Sequence, residues 1–426
     1  MFETTGQVTP TTLNIDRCVS LHNAIIRASS SPPNQSPLPT AKYFDHHATI
    51  DSLTPQLTNF LSQCDILLSE TQHLSPFVVS LAPPSEIHPN GESIFPGYNN
   101  CVNLYLSNNV ENDSVGLVFD MTTNKATWVD FMYDCPPDYT EHVWVPLDEV
   151  LEAWLRYIRR GRCIPRGNEE FAPTGGTMEG WSMVYPPMED VEETLATWEE
   201  YVSLVEARMP SPPPGVVQRE QPEQPPQDNR TPFKGFAEAF FTRARTPTFT
   251  HVAPSLVFPS PSQMEALAAR QQERFHAEES SWTTEEDGLI KVVPTVLFPL
   301  GGNIHAGLAT TADRGWQDGV GLVLPTAERY ESWAGPVDEE NNDPPAYERV
   351  WQVEAVQSPF WPVHAARMTW VLRRWIQLVE EGVWRVGTDG VQGSWEEFVQ
   401  EEECVGEDGM PATRLVGMLL DGVDAC

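Results

Sequence analysis

The longest regular alternation of apolar and polar positions runs from Leu147 to Ile158. Leu147, Val150, Leu151, Trp154, Leu155 and Ile158 recur at steps of three and one, the spacing that lines one face of an α-helix. The pattern predicts a helix over 146–160, stopped by Gly161, which tolerates the left-handed backbone of a helix C-terminus. Arg156, Arg159 and Arg160 sit in its last turns, where cations complement the carbonyl end of the helix. Thr54, Pro55, Leu57, Phe60, Leu61 and Cys64 spell a second helix start, with a capping hydroxyl, a proline at the first position and one apolar stripe. A third helix is predicted over 190–209 from Val191, Leu195, Trp198, Val202 and Val205. Between the first two helices, 77–81 and 102–106 are short apolar runs that read as strands. Residues 115–121 and 126–131, split by Thr122-Thr123-Asn124-Lys125, read as a hairpin.

The second half repeats this plan. Helices are predicted over 261–277 and 362–381, a strand over 292–298 and a final helix over 415–420. Met368, Val371, Leu372, Trp375, Ile376, Val379 and Gly382 match Leu147, Val150, Leu151, Trp154, Leu155, Ile158 and Gly161 without a gap. Val320-Gly321-Leu322-Val323 matches Val115-Gly116-Leu117-Val118, each followed at the same distance by a tryptophan, Trp333 and Trp128. Trp198-Glu199-Glu200-Tyr201-Val202 matches Trp395-Glu396-Glu397-Phe398-Val399. Colinear anchors of this kind indicate one folding unit present twice. The expected fold class is α+β, a tandem duplication of one α+β unit joined by a Pro/Gln-rich linker. Its expected parts are a mostly disordered N-terminal segment at 1–44, a first repeat at 45–209, a linker with a basic aromatic patch at 210–249, and a second repeat at 250–426. The first part does carry one short amphipathic run, with Ile15, Cys18, Val19, Ile25 and Ile26 at helical spacing.

Composition narrows the function classes. The chain has 426 residues, and 61 Asp and Glu against 26 Lys and Arg give a formal net charge of -35. A field of that sign repels phosphate backbones and anionic lipid, so neither nucleic acid nor a membrane surface is an expected partner. Seven scattered cysteines, without a CxxC pair, indicate neither a disulfide framework nor a structural zinc site. There is no signal-peptide pattern and no apolar run long enough for a span, which points to a cytoplasmic or nuclear protein.

Candidate chemistry is sparse. Asp45-His46-His47 resembles the triplet of the DHH phosphoesterases, but no apolar strand or Asp-x-Asp precedes it, so no metal site is expected. Gly301-Gly302-Asn303 reads as a tight turn rather than an anion cradle, since no lysine follows. No catalytic or cofactor-binding residue is assigned. Two strings do fit a recognition mode: Pro136-Pro137-Asp138-Tyr139 and Pro344-Pro345-Ala346-Tyr347 both match PPxY, the pattern read by WW domains. Arg219 to Pro225 has the RxxPxxP form of SH3 ligands. Phe233, Phe236, Phe240 and Phe241, with Lys234, Arg243 and Arg245, form a basic aromatic patch expected to dock on an acidic surface of the same chain.

The run VGLVFDMTTNKATW, followed by a variable loop and the helix VPLDEVLEAWLRYI, is similar to the C-terminal half of SUKH-superfamily domains. The resemblance spans about sixty residues of each unit. It implies an α+β module that acts by protein interaction, and it carries no catalytic residue. The expected function is a non-enzymatic interaction or regulatory protein. The alternatives are a hydrolase with its site between the two repeats and an acidic transcriptional regulator.

Overall fold

The computed structural model describes residues 10–31, 36–69, 72–87, 95, 98–108, 115–129, 142–165, 180–183, 187–210, 233–277, 295–310, 318–323, 360, 366–394, 403–405 and 411–413. They form a mixed α+β protein with two compact units. Unit 1 runs to Pro187 and takes in Phe360; unit 2 starts at Met188.

In unit 1 the elements are α1 (Ile15–Ser29), β1 (Thr40–Lys42), α2 (Tyr43–His46), α3 (Pro55–Gln63), β2 (Asp65–Leu67), β3 (Val78–Leu81), β4 (Cys101–Ser107), β5 (Gly116–Asp120), β6 (Lys125–Val129), β7 (Val145–Pro146), α4 (Leu147–Arg159), β8 (Cys163–Pro165) and β9 (Trp181–Met183). Strands β3 to β7 form an antiparallel sheet in sequence order. The expected helices form where the patterns place them. Thr54 caps α3 by accepting from the Leu57 N–H, and every apolar anchor of α4 is buried. Gly161 ends α4 at φ +70°.

In unit 2 follow α5 (Met188–Arg208), α6 (Phe236–Arg243), β10 (His251–Ala253), β11 (Leu256–Val257), α7 (Pro261–Ala277), β12 (Val296–Leu300), β13 (Asn303–Thr310), β14 (Gly319–Val323), β15 (Ala366–Arg367), α8 (Met368–Glu380), β16 (Val386–Gly387), β17 (Gly390–Val391), β18 (Glu403–Val405) and β19 (Pro411–Thr413). One sheet has the order β15-β14-β13-β12-β11-β10-β17-β16, and β18 pairs with β19 separately. Gly301 and Gly302, both at positive φ, make the two-residue turn between β12 and β13, as two-residue hairpins require.

Three expectations about the repeat are corrected. First, α1 is not part of a disordered tail. It packs against α3 and α4, burying Cys18, His22, Ile25, Ile26 and Ser29. Second, α5 belongs to unit 2, where it packs on α8. The unit boundary therefore falls near Pro187, and the described part of 210–249 lies within unit 2 rather than between the units. Residues 233–249 of it are described, and α6 within them packs on α5. Third, the string match of Val115-Gly116-Leu117-Val118 with Val320-Gly321-Leu322-Val323 is out of register with the strands.

The ladders set a different correspondence. In unit 1 Gly116 pairs with Val129 and Leu117 with Trp128; in unit 2 Gly307 pairs with Val323 and Leu308 with Leu322. On the other side, Tyr105 and Leu106 face Leu117 and Gly116, as Phe298 and Pro299 face Leu308 and Gly307. One irregularity falls at the same place in both, between Asn103 and Tyr105 and between Val296 and Phe298, and unit 2 has a second between Pro299 and Leu300. Both glycines sit at positive φ, +111° and +133°, and a Cβ on either would lie 2.1 Å from the carbonyl oxygen of Tyr105 or Phe298. The last ladder completes the register. Lys125 pairs with Pro146 and Gly319 with Arg367, so the next residues, Leu147 and Met368, open α4 and α8 at the positions where the seven apolar anchors already matched. Trp128 thus corresponds to Leu322. Trp333, the Trp395 block and 415–420 lie outside the described residues.

Candidate functional site

One buried polar group of unit 1 centres on His22 of α1. Its Nε2 lies 2.7 Å from the Asp65 carbonyl and its Nδ1 2.8 Å from the Tyr105 hydroxyl. A carbonyl only accepts, so Nε2 carries the proton and Nδ1 accepts from Tyr105. Burial lowers the His22 pKa to about 4, against a smaller raising effect of the Asp65 carbonyl. The Tyr105 hydroxyl is pushed well up by burial. The nearby thiols follow the same rule: Cys18 is raised to about 12 by burial and then by Asp148, and Cys64 is raised well above its ordinary value by burial. Cys101 and Cys163 are likewise buried, unbonded and raised. Thiols held protonated are poor nucleophiles.

Unit 2 has a comparable set of contacts with different chemistry. Trp198 on α5 takes the place of His22, and its ring N–H donates to the Arg245 carbonyl at 2.9 Å, where His22 uses Asp65. Phe298 replaces Tyr105 against it, with ring centroids 5.4 Å apart against 5.8 Å for His22 and Tyr105. Phe240 of α6 meets Trp198 edge-on at 5.7 Å, as Phe60 of α3 meets His22 at 6.1 Å. The amide N–H of Asp65 is held by the side chain of Asn23, and the Arg245 guanidinium by that of Glu199. An ion pair between the helices is reversed in sign: Arg17 on α1 holds Glu152 on α4, whereas Glu193 on α5 accepts from Arg373 on α8 at 3.0 Å.

Unit 2 also buries a cationic centre. Arg367 is 3% exposed and donates to Asp318 at 2.7 Å, Asp190 at 2.6 Å and Glu193 at 3.3 Å. Burial alone would lower its pKa, but Asp318, Asp190 and Glu193 together raise it. Such a centre is held by its partners, and removing one leaves an uncompensated buried charge. The ladder register and the α1–α5 match put Pro146, Asn124 and Asn14 at the places of Arg367, Asp318 and Asp190. Three of its four members thus face neutral residues, and the fourth, Glu193, faces Arg17, so the centre has no shared chemistry.

The basic aromatic patch docks as expected. Phe233, Phe236 and Phe240 are buried in the unit 2 core, while Arg243 pairs with Glu192 and Arg245 with Glu199 and Glu206 on α5. His46 and His47 meet edge to face with centroids 5.2 Å apart. Among the described residues no group of His, Cys, Asp and Glu is placed to hold a metal ion. A shallow groove of about 610 Å³ next to α3 is lined by Phe44, Asp51, Thr58 and Asn59 among others. No described helix is long and apolar enough to cross a membrane.

A last feature of unit 1 was not singled out in the sequence. Phe360 is buried with its ring stacked on Trp154, centroids 5.0 Å apart and planes at 11°. Trp128, Phe77 and Tyr157 present their edges or faces to it at 6.0 to 6.3 Å. Nothing in the local pattern of Pro359-Phe360-Trp361-Pro362 marks this contact, because the ring's neighbours come from the first half of the chain.

Pro136, Pro137 and Tyr139, Pro344, Pro345 and Tyr347, and the 219–225 string all lie outside the described residues. No family model, curated protein or solved structure matches the chain.

Proposed function

We propose that the chain is a tandem duplication of one α+β unit and acts as a non-enzymatic interaction or regulatory protein in the cytoplasm or nucleus. One observation carries the reading. The position that bears unit 1's imidazole bears an indole in unit 2, yet both rings make the same hydrogen bond to a backbone carbonyl. An indole has no acid–base role, so the shared function of that position is to tie the first helix of the unit to the backbone just after α3 or α6. The silenced thiols and the absence of a matching charged centre at the places of Arg367, Asp318 and Asp190 support the same conclusion. Cores that are kept while their polar contents change favour surfaces as the seat of function. The order of hairpin, loop and amphipathic helix agrees with the SUKH-like, binding-module reading.

The partner we propose is a WW-domain protein, engaged through Pro344-Pro345-Ala346-Tyr347. The sequence beside the motif, Asp338 to Asp343, holds four carboxylates, and carboxylates resist burial. Pro136-Pro137-Asp138-Tyr139 is the secondary candidate. A panel of WW domains titrated against the intact protein and Tyr347→Ala tests this. Binding should weaken at least about tenfold in the variant, or 1.4 kcal/mol. Equal binding by both, or binding by neither, would remove the motif from the account.

A further inference from the structure

Phe360 lies in the chain between β14 and β15, both strands of unit 2, yet it clusters with unit 1. Its surroundings are selective for an aromatic ring. One indole lies parallel to it, and three more rings stand at 72° to 81° around it. That is the offset and edge-on arrangement aromatic quadrupoles favour. An aliphatic side chain would fill the volume but lose the geometry.

The comparison of the units shows that this pocket is not a general property of the fold. Trp154 has its counterpart in Trp375, but Tyr157 and Trp128 correspond to Leu378 and Leu322. Trp375 meets Trp384, which follows α8 closely, at 5.9 Å; counting from the helix-ending glycines, unit 1 has Cys163 at that place. Unit 1 thus has an aromatic pocket that its own first-half sequence does not fill. The filling residue stands between Pro359 and Pro362, which restrict the free segment and reduce the entropy lost on docking.

We propose that Trp154, Trp128, Phe77 and Tyr157 form a recognition pocket for an aromatic side chain on a proline-flanked peptide, and that Phe360 is its ligand in cis. The proposal does not rest on the PPxY reading. A tethered ligand acts at an effective concentration in the millimolar range, so the intact protein should resist the same ligand added in trans.

The test is calorimetric titration of a peptide with the sequence of residues 354–363 into the full-length protein and into full-length Phe360→Ala. The expected result is saturable binding to Phe360→Ala and at least about tenfold weaker binding to the intact protein. A peptide carrying alanine for Phe360 should bind neither. Circular dichroism establishes that the variant is folded. Should it not fold, Phe360→Leu keeps apolar volume in the pocket, and the peptide should bind that variant instead. No binding to a folded variant, or equal binding to variant and intact protein, would overturn the proposal and leave Phe360 as ordinary core.

Discussion

His22 is the residue where structure most clearly overrules a functional reading. A buried histidine bonded to a tyrosine suggests acid–base chemistry, but its tautomer is set by a carbonyl, and the duplication we propose puts Trp198 at its place. Its titration should nevertheless be visible in stability. The imidazole is neutral when folded, with a pKa lowered to about 4 by burial, and titrates near 6.5 when unfolded. Between those values the unfolded chain binds the extra proton. Stability is therefore constant from this source above about pH 6.5 and is lost as pH falls toward 4, by on the order of 3 kcal/mol in all. Denaturant unfolding across that window should show the slope, and His22→Gln should lack this component. An unchanged slope in the variant would place the titrating group elsewhere.

At the level of elements, what could be read from sequence depended on how each element is held. Helices α4 and α8 were legible because a 3.6-residue period is local, and their ungapped match survives in the structure. Helix α5 was legible as a helix, but its counterpart was sought in the Trp395 block. That block lies outside the described residues. The counterpart we propose, α1, has Cys18, His22 and Ser29 where α5 has Thr194, Trp198 and Val205, so the shared burial is hidden by polar side chains. Strand register was the least legible. Val-Gly-Leu-Val recurs as a string, but register is set by the ladder and by the irregularity in its partner strand, which neither copy of the string contains. The two glycines that accommodate that irregularity give a direct check. Gly116→Ala and Gly307→Ala should each cost about 2–4 kcal/mol, from positive φ and from a Cβ forced against a carbonyl. Gly321, the glycine suggested by the string, is not among the described residues with positive φ. Gly321→Ala should cost clearly less. Chemical denaturation of the three variants decides it, and a Gly321 effect equal to that of Gly307 would restore the string alignment.

For the whole molecule, we propose one framework carried twice, with helix, sheet and second helix kept and the polar contents exchanged. The α+β class and the existence of two units follow from periodic apolar positions, which is why they were legible. Their boundary was not, because the Pro-rich stretch drew attention to 210–232 while the division near Pro187 has no comparable signal. Of the candidate site, the PPxY strings are visible only in sequence, and the Phe360 pocket only in structure. Superposing the two units in an experimentally determined structure is the most direct test of the duplication. The account predicts that one superposition pairs His22 with Trp198, Gly116 with Gly307, Tyr105 with Phe298 and Trp154 with Trp375. A best fit that instead pairs Gly116 with Gly321, or that places α1 and α5 against unrelated elements, would contradict it.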